Sequence, residues 1–501
     1  MITAAQRRFW EIIPGALVWT IFVTALSLSF IKPLWMMYFI ILFDLYWLFR
    51  VFYFMPFIFI SWYRYRQALK QNWQQEAERL PGYDAIRHVI FLPFSRESAA
   101  VVEETLKALS AVAYPADRMV VVLAGEQRFA SILEEVRARV LPAFEGKFLR
   151  LILTEHPQGL PGEIPGKGSN LNYAGRTVLP ELTALGLDPD MAIVSSFDID
   201  TMVHPQYFSA LTREYLTIPE PTKSSYQPVA LYNNNLWESP AVVRVAMFGT
   251  TFWLMQELAR PEGMMTFSSH SMSLRMLIDV GFWQKDIVSE DSRIFLQGLA
   301  RYHGRYRVTP IHLPVSMDTV MTGEYWKALP ALYKQLRRWA WGMENFPYMM
   351  ETIAQDTAFP RWRKFVWIAK QLEGGVMWAV APLLIFSLGY LPFWAAPEAF
   401  HSVALFQNAP FTLQWMMRLS MIGLFVSAGL SLTLLPPPPK HVSKPMAYLI
   451  MLAQWALLPL TFTVFGAFPA TDALTRLMLG GRYRLGFHVS PKRTIAQKTA
   501  E

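Results

Sequence analysis

Two aspartates at the end of an apolar segment are the residues in this sequence whose types and spacing most directly suggest chemistry. The segment Ile193-Val-Ser-Ser-Phe is followed by Asp198 and, after one intervening residue, by Asp200. Two carboxylates at the end of a strand suit a hard divalent cation that keeps its other coordination positions for phosphate oxygens. Such pairs also cap helices and occupy solvated turns, so the spacing alone does not distinguish these roles.

A second acidic pair, Glu290 and Asp291, begins a pattern of helical period that continues to Tyr302. Aspartate is a preferred N-cap residue, so Asp291 could simply cap that helix. It could instead serve as a general base, which requires that it face the same cleft as Asp198 and Asp200.

A glycine-rich loop and a basic, aromatic segment carry further candidates. Lys167 and Asn170 lie in the loop, which fails the P-loop pattern because glycine follows the lysine where serine or threonine is required. Both could still donate to a diphosphate or a nucleoside, and an ordinary surface loop is the alternative. In Gln335-Leu-Arg-Arg338-Trp339, helical spacing puts the three numbered side chains on one face. They could neutralise a diphosphate and stack on a sugar, or they could anchor an interfacial helix.

An α/β domain that would position these side chains is predicted between about residues 76 and 358. Short segments rich in Val, Ile and Leu alternate there with amphipathic segments of helical period. This alternation predicts a mostly parallel sheet, in which ligands bind beyond the carboxyl ends of the strands. The predicted strands are residues 87–93, 119–124, 148–153 and 191–196, and a helix is predicted over residues 101–112.

The composition places part of the chain in a membrane. Of its 501 residues 53% are hydrophobic and only 17% are charged, below the roughly 25% of a soluble domain, and cysteine is absent. A disordered chain and a disulfide scaffold are therefore excluded. Apolar runs at residues 12–31 and 34–62 predict a transmembrane hairpin within residues 1–66. Three further runs, at residues 365–394, 411–435 and 446–468, predict a C-terminal transmembrane block within residues 362–478.

Basic residues at the ends of these runs predict that both flanks of the hairpin and the tail at residues 479–501 are cytoplasmic. Three C-terminal crossings would leave the tail outside, so we expect the last run, which Pro459 interrupts, to re-enter or to make two short passes. Another apolar stretch, residues 241–258, includes two charges and is expected to be a buried or interfacial helix. The chain is thus predicted to be a multi-pass protein of the cell's inner (plasma) membrane with a cytoplasmic central domain.

The two acidic pairs and the segment from Gln335 to Trp339, in this order and between two membrane blocks, resemble the motifs of the processive family 2 glycosyltransferases, such as cellulose synthase and hyaluronan synthase. In the tail, Phe487-His-Val489-Ser-Pro-Lys492 resembles the gating-loop motif of that family. The resemblance implies that residues 76–358 form a GT-A-like α/β domain inserted between the α-helical transmembrane blocks. This domain is expected to include an interfacial helix. The resemblance also implies inverting, metal-dependent transfer of a hexose from a nucleotide-sugar, with a UDP-sugar as the expected donor, to a growing polysaccharide that the protein helps to export.

The resemblance further implies a role for each candidate residue. Asp198 and Asp200 match the motif that binds Mg²⁺ or Mn²⁺ and the nucleotide diphosphate. Asp291 matches the catalytic base, and the adjacent Glu290 is the second expected catalytic residue. The other residues expected to bind the nucleotide-sugar are Glu97, Glu126, Lys167, Asn170, Gln335, Arg338 and Trp339 and, in the closing loop of the tail, Phe487 and Lys492. Two positions depart from the family. Where the family has Tyr-Asn-Glu, this sequence keeps only the glutamate, Glu97. Where the family has an aspartate that contacts uracil, this sequence has Glu126, so the identity of the nucleotide base is left open.

Two other functions are compatible with parts of the sequence. A non-processive glycosyltransferase acting on a polyprenyl phosphate or another lipid would share Asp198 and Asp200 but would not need the segment from Gln335 to Trp339, so it ranks second. A transporter or receptor with a nucleotide-sensing domain would release no nucleotide from a nucleotide-sugar. The expected partners are the donor, the glycan acceptor and membrane lipid, and the sequence names no accessory subunit. Nucleic acid is not expected, because the basic residues behind the net charge of +8 follow the membrane flanks and form no single stripe.

Overall fold

A computed structural model of the chain describes residues 3–321, 324–398, 402–440 and 442–486. In the described residues the central region contains one eight-stranded sheet. Its strands are β1 (Arg87–Pro93), β2 (Met119–Glu126), β3 (Arg150–His156), β4 (Ala192–Ser196), β5 (Met202–Val203), β6 (Ser224–Leu231), β7 (His270–Ser273) and β8 (Arg307–Ser316). The strand order across the sheet is β3-β2-β1-β4-β7-β6-β8-β5.

Helices cover the sheet and continue beyond it at both ends of the chain. They are α1 (Ala4–Ile31), α2 (Pro33–Ala68), α3 (Trp73–Glu78), α4 (Ala99–Ser110), α5 (Ala130–Glu135), α6 (Leu141–Ala143), α7 (Lys167–Ala184), α8 (Tyr207–Thr217), α9 (Ala241–Leu258), α10 (Leu274–Asp279), α11 (Glu290–Arg301), α12 (Tyr325–Ala340), α13 (Asn345–Glu351), α14 (Arg361–Phe386), α15 (Leu391–Ala395), α16 (Ala404–Thr433), α17 (Lys444–Ala453), α18 (Leu458–Leu460) and α19 (Phe468–Leu479).

The sheet is mixed and mostly parallel, which confirms the predicted fold class. The strands β3, β2, β1 and β4 are parallel neighbours, whereas β7 runs antiparallel between β4 and β6. The strands β2 and β4 are buried along their whole length, because helices cover both faces of a parallel sheet. The carboxyl ends of β1, β2 and β4 and the start of β7 consequently meet at one edge of the sheet.

All four predicted strands are present, with ends that coincide or are shifted by up to three residues. Strands β5 to β8 were not predicted. The serines of β6 and β7 are not typical of a buried strand. They are nevertheless buried, and neighbouring hydroxyl groups form hydrogen bonds with them. Ser271 bonds to Ser195 at 2.8 Å, and Ser225 bonds to the hydroxyl of Tyr306 at 2.8 Å.

Five helical segments of the described residues are long and apolar enough to cross a membrane. They are α1, α2, α14, α16 and the segment Lys444–Leu479, which includes α17 to α19. Helix α9, which covers the apolar stretch at residues 241–258, is not among them. It is largely buried and packs against β6 and α2, so the prediction that it is not a membrane span agrees with the structure.

The last apolar segment, Lys444–Leu479, has contacts with the central domain near both of its ends. Just before it, the carbonyl oxygen of Pro437 accepts a hydrogen bond from Trp237 Nε1 at 2.9 Å. Near its end, Asp472 pairs with Arg337 of α12 at 2.8 Å. A straight crossing would separate the two ends by about 30 Å of hydrocarbon. Contacts with the domain near both ends are what the expected re-entry or double pass requires, and that topology stays a prediction.

Candidate active site

Asp198 and Asp200 follow β4 at the edge of the sheet where β1 and β2 also end. Ser268, which precedes β7, donates from Oγ to Asp198 Oδ2 at 3.1 Å. Asp200 is buried, and its Oδ2 accepts from the backbone N–H of Asp318 at 3.3 Å. The antiparallel pairing of β4 and β7 brings these polar residues together, because the start of β7 lies beside the end of β4.

Lys167 begins α7, and its ammonium group lies among three carboxylates. Nζ is 2.9 Å from Asp198 Oδ1, 3.0 Å from Asp291 Oδ1 and 3.6 Å from Glu290 Oε1. Burial alone would lower the pKa of Lys167, but the adjacent carboxyl groups, foremost those of Asp198 and Asp291, outweigh it and raise the pKa above its ordinary value. A Cβ on Gly168 would lie 3.1 Å from Glu290 Cβ, so glycine allows this close approach. With a side chain only 9% exposed, Lys167 does not belong to an ordinary surface loop.

The adjacent acids Glu290 and Asp291 have different surroundings. The N-cap of α11 is Ser289, so the alternative in which Asp291 caps this helix is wrong. The Asp291 side chain is 21% exposed and opens onto the cleft, whereas the Glu290 side chain is 4% exposed. Burial, reinforced by the charge of Asp291, raises the pKa of Glu290 above its ordinary value. Glu290 is therefore the more buried of the two acids, and its burial favours the neutral form of its carboxyl group.

We expect Glu290→Gln to keep the rate of sugar transfer within about threefold of the unmodified protein, because an amide is close in shape and charge to a protonated carboxyl group. If Glu290 were the proton acceptor, the same change would cost about 10²- to 10⁴-fold. The initial rate of nucleotide release from the donor distinguishes these results. A loss of about 10²- to 10⁴-fold would identify Glu290 as the base.

Helix α12 contributes Gln335, Arg338 and Trp339 to the cleft. The ring centroid of Trp339 is 5.8 Å from that of Phe267 and 6.0 Å from that of Tyr232. Gln335 is buried on the same side of the helix. Arg338 also reaches the cleft, so the three side chains share one face, as their spacing predicts.

The end of the cleft next to β1 and β2 contains the other predicted contacts. Glu97 accepts from the backbone N–H of Ser95 at 2.7 Å, and Glu126 forms an ion pair with Arg128. Asn170 donates from Nδ2 to the backbone carbonyl oxygen of residue 124 at 2.7 Å. Together they present mainly oxygen acceptors to this end of the cleft.

These elements enclose a cavity of about 210 Å³ that contains every predicted site residue within the described part of the chain. The residues are Glu97, Glu126, Lys167, Asn170, Asp198, Asp200, Glu290, Asp291, Gln335, Arg338 and Trp339. Phe487 and Lys492 lie outside the described residues, so their expected role in a closing loop stays a prediction.

Several residues of the site had no sequence signal. Tyr232 and Phe267 line the cavity and flank Trp339, but each follows or precedes a strand that the hydrophobic pattern does not reveal. His270, the first residue of β7, lies 4.0 Å from Asp291, measured from Nδ1 to Oδ1. Burial lowers the pKa of His270 to about 4, so this imidazole is neutral near pH 7, and its Nδ1–H donates to the carbonyl oxygen of Phe267.

Comparison with known proteins gives one family match and several structural similarities. The model of the family described as "Glycosyl transferase family group 2" matches residues 193–468. No curated protein matches the chain significantly. Among solved structures, the mannosyltransferase PcManGT from Pyrobaculum calidifontis in complex with GDP-Man and Mn²⁺ is similar over 84% of this chain and 99% of its own, with 16% identity and a TM-score of 0.41. Residues 1–349 of S. aureus TarS in complex with UDP-GlcNAc are similar over 69% of this chain and 91% of their own, with 13% identity and a TM-score of 0.31.

Proposed function

The chain belongs to the glycosyl transferase family group 2, and from this premise we propose that it transfers a hexose from a nucleotide-sugar to a growing polysaccharide and helps to export the product. One observation carries the proposal. Asp198, Asp291 and Arg338, which are far apart in sequence, line one cavity together with Trp339. One cavity therefore combines carboxylates for a metal-bound diphosphate, a general base and an aromatic surface for a sugar.

In the proposed reaction Asp291 accepts the proton of an acceptor hydroxyl group. The hydroxyl oxygen attacks the anomeric carbon as the bond to the nucleoside diphosphate breaks, which inverts the configuration without a covalent intermediate. Arg338 neutralises charge on the leaving diphosphate. Lys167 Nζ lies 3.0 Å from Asp291 Oδ1 and helps to hold this side chain in place. Trp339, packed between Tyr232 and Phe267, orients the acceptor sugar by stacking.

Asp198 and Asp200 are proposed to hold Mg²⁺ or Mn²⁺. Carboxylate oxygens are the donors that these ions prefer, and the ammonium group 2.9 Å from Asp198 Oδ1 lies where a cation is electrostatically favoured. The described residues contain no group of three or more His, Cys, Asp or Glu side chains arranged for a metal, so phosphate and water would complete the coordination. When bound, the ion supplies positive charge to the diphosphate oxygens.

A polysaccharide acceptor is preferred over a lipid acceptor because Gln335, Arg338 and Trp339 line the same cavity as Asp291. We assign catalysis to residues 76–358, with the domain on the cytoplasmic side of the inner membrane. Membrane segments within residues 1–66 and 362–478 would provide the export route. Phe487 and Lys492, in the tail at residues 479–501, would close over a nucleotide whose base contacts Glu126. UDP is the proposed nucleotide.

Incubation of the purified full-length protein with a panel of UDP- and GDP-sugars and Mn²⁺ tests the proposal. We expect one UDP-sugar to release nucleotide continuously and to yield a carbohydrate polymer, measured by enzyme-coupled nucleotide detection and by gel filtration of the product. A product with a single sugar on a lipid would favour the second-ranked function. Absence of nucleotide release from every donor would contradict the enzymatic assignment.

A further inference from the structure

Glu344, in the turn between α12 and α13, holds the chain immediately before α11. Its Oε1 accepts hydrogen bonds from the backbone N–H of Val288 at 3.1 Å, from the backbone N–H of Ser289 at 3.0 Å and from Ser289 Oγ at 2.7 Å. Its Oε2 accepts from Trp341 Nε1 at 2.9 Å. One carboxylate outside the cavity lining therefore binds the residues that directly precede the two acids of the site.

Arg293 provides a second connection between the same elements. This fully buried side chain of α11 donates from Nε to Asn345 Oδ1 at 2.8 Å and from Nη2 to the carbonyl oxygen of Glu344 at 3.1 Å. Its guanidinium carbon also lies 4.1 Å from the ring centroid of Tyr348 on α13. The start of α11 is thus attached to the turn after α12 from both sides.

These bonds matter for the position of α11 because the backbone N–H groups just before and at its start need acceptors outside the helix. The Ser289 side chain does not cap its own helix, and backbone N–H groups at the start of a helix lack intrahelical acceptors. Val288 is buried, so loss of its acceptor would leave an unsatisfied N–H group. A negative charge near a helix N-terminus is also favourable, which makes glutamate well suited to this place.

We propose that Glu344 is a positioning residue that fixes Asp291 relative to the acceptor-binding face of α12. This inference rests on the proposed function. The turn that contains Glu344 continues directly from α12, whose Arg338 and Trp339 face the cavity. The Glu344 carboxylate, together with Arg293, therefore links the segment before Asp291 to the helix that bears the acceptor surface. Misplacement of a reacting group by about 1 Å can cost about 100-fold in rate.

The test compares Glu344→Ala and Glu344→Gln with Glu351→Ala as a matched control. Glu351 ends α13 but pairs with Arg7 at 3.7 Å instead of contacting α11. We expect Glu344→Ala to lower kcat by about 10- to 100-fold, with KM for the donor and nucleotide affinity nearly unchanged. Glu344→Gln, which keeps an acceptor oxygen, should recover most of the rate, and the control should match the unmodified protein. An unchanged kcat in Glu344→Ala, or an equal loss of nucleotide affinity, would overturn the proposal.

A second measurement does not depend on turnover. Hydrogen exchange at the amides of Val288 and Ser289 should be faster in Glu344→Ala than in Glu344→Gln, and equal rates would overturn the proposal. If no donor reacts even with the unmodified protein, the proposed function fails, whereas this exchange still decides the role of Glu344. Should Glu344→Ala not fold, Glu344→Asp shortens the carboxylate and keeps its charge. A lower kcat with intact nucleotide binding then supports the proposal, and an unchanged kcat refutes it.

Discussion

Asp291→Asn is expected to lower the rate of sugar transfer by about 10²- to 10⁴-fold, the usual contribution of a general base. The amide that replaces the carboxylate cannot take the proton of the attacking hydroxyl group. Nucleotide binding should remain nearly intact, because Lys167 still has Asp198 at 2.9 Å and the other cavity residues are unchanged. Initial rates of nucleotide release measure the first effect, and calorimetric titration with the nucleoside diphosphate measures the second.

A matched control for this substitution is Asp286→Asn in the segment before α11. Asp286 is exposed and accepts a hydrogen bond from Gln284 at 2.8 Å, without contact to the cavity. It should leave the rate unchanged. Turnover by Asp291→Asn at the rate of the unmodified protein would refute the assignment of the base.

Asp198→Ala and Asp200→Ala are each expected to weaken Mn²⁺-dependent nucleotide binding by about 10- to 100-fold or more, since loss of even an indirect support of a metal ligand costs that much. Removal of Asp198 also removes one of the three ion pairs of Lys167, so that its ammonium group would pair only with Asp291 and Glu290. Transfer should fall with binding in both variants. Calorimetric titration of the nucleotide with and without Mn²⁺ measures the metal-dependent part directly.

Asp190→Asn provides the control for the aspartate substitutions. Asp190 lies just before β4, on the exposed surface, and pairs with Arg275 at 2.8 Å. Its replacement should change neither affinity nor rate. Equal nucleotide affinity with and without Mn²⁺ in the unmodified protein would argue against a metal at Asp198 and Asp200.

The parts of the fold that could be predicted are those in which burial and sequence pattern coincide. Strands β2 and β4 begin with runs of apolar residues, and both are buried because both of their faces are covered. The same reasoning fails for β7, which is four residues long and mostly polar, and whose buried Ser271 is satisfied by Ser195 on the adjacent strand. Such a strand leaves no hydrophobic pattern, so β7, and with it Phe267 and His270, was not foreseen.

The predicted site residues came from residue chemistry, spacing and motif resemblance, whereas their grouping in one cavity is a property of the tertiary structure. The role of Lys167 illustrates the difference. Its loop suggested a contact to the nucleoside, but the fold places Nζ between Asp198 and Asp291. Glu344 illustrates it further, because a glutamate in the turn after α12 has no distinctive spacing in the sequence, and its role follows only from its contacts with the segment before α11.

The amino-acid sequence alone determined that the chain combines apolar segments long enough for a membrane with an α/β domain that bears separated acidic motifs, because hydrophobicity, period and residue type are local properties. Only the tertiary structure decided which carboxylates surround the Lys167 ammonium group, which of two adjacent acids is buried, and that both ends of the last apolar segment lie near the central domain. Several of these contacts join residues more than 100 positions apart in the chain, and such contacts arise from packing and not from any local pattern.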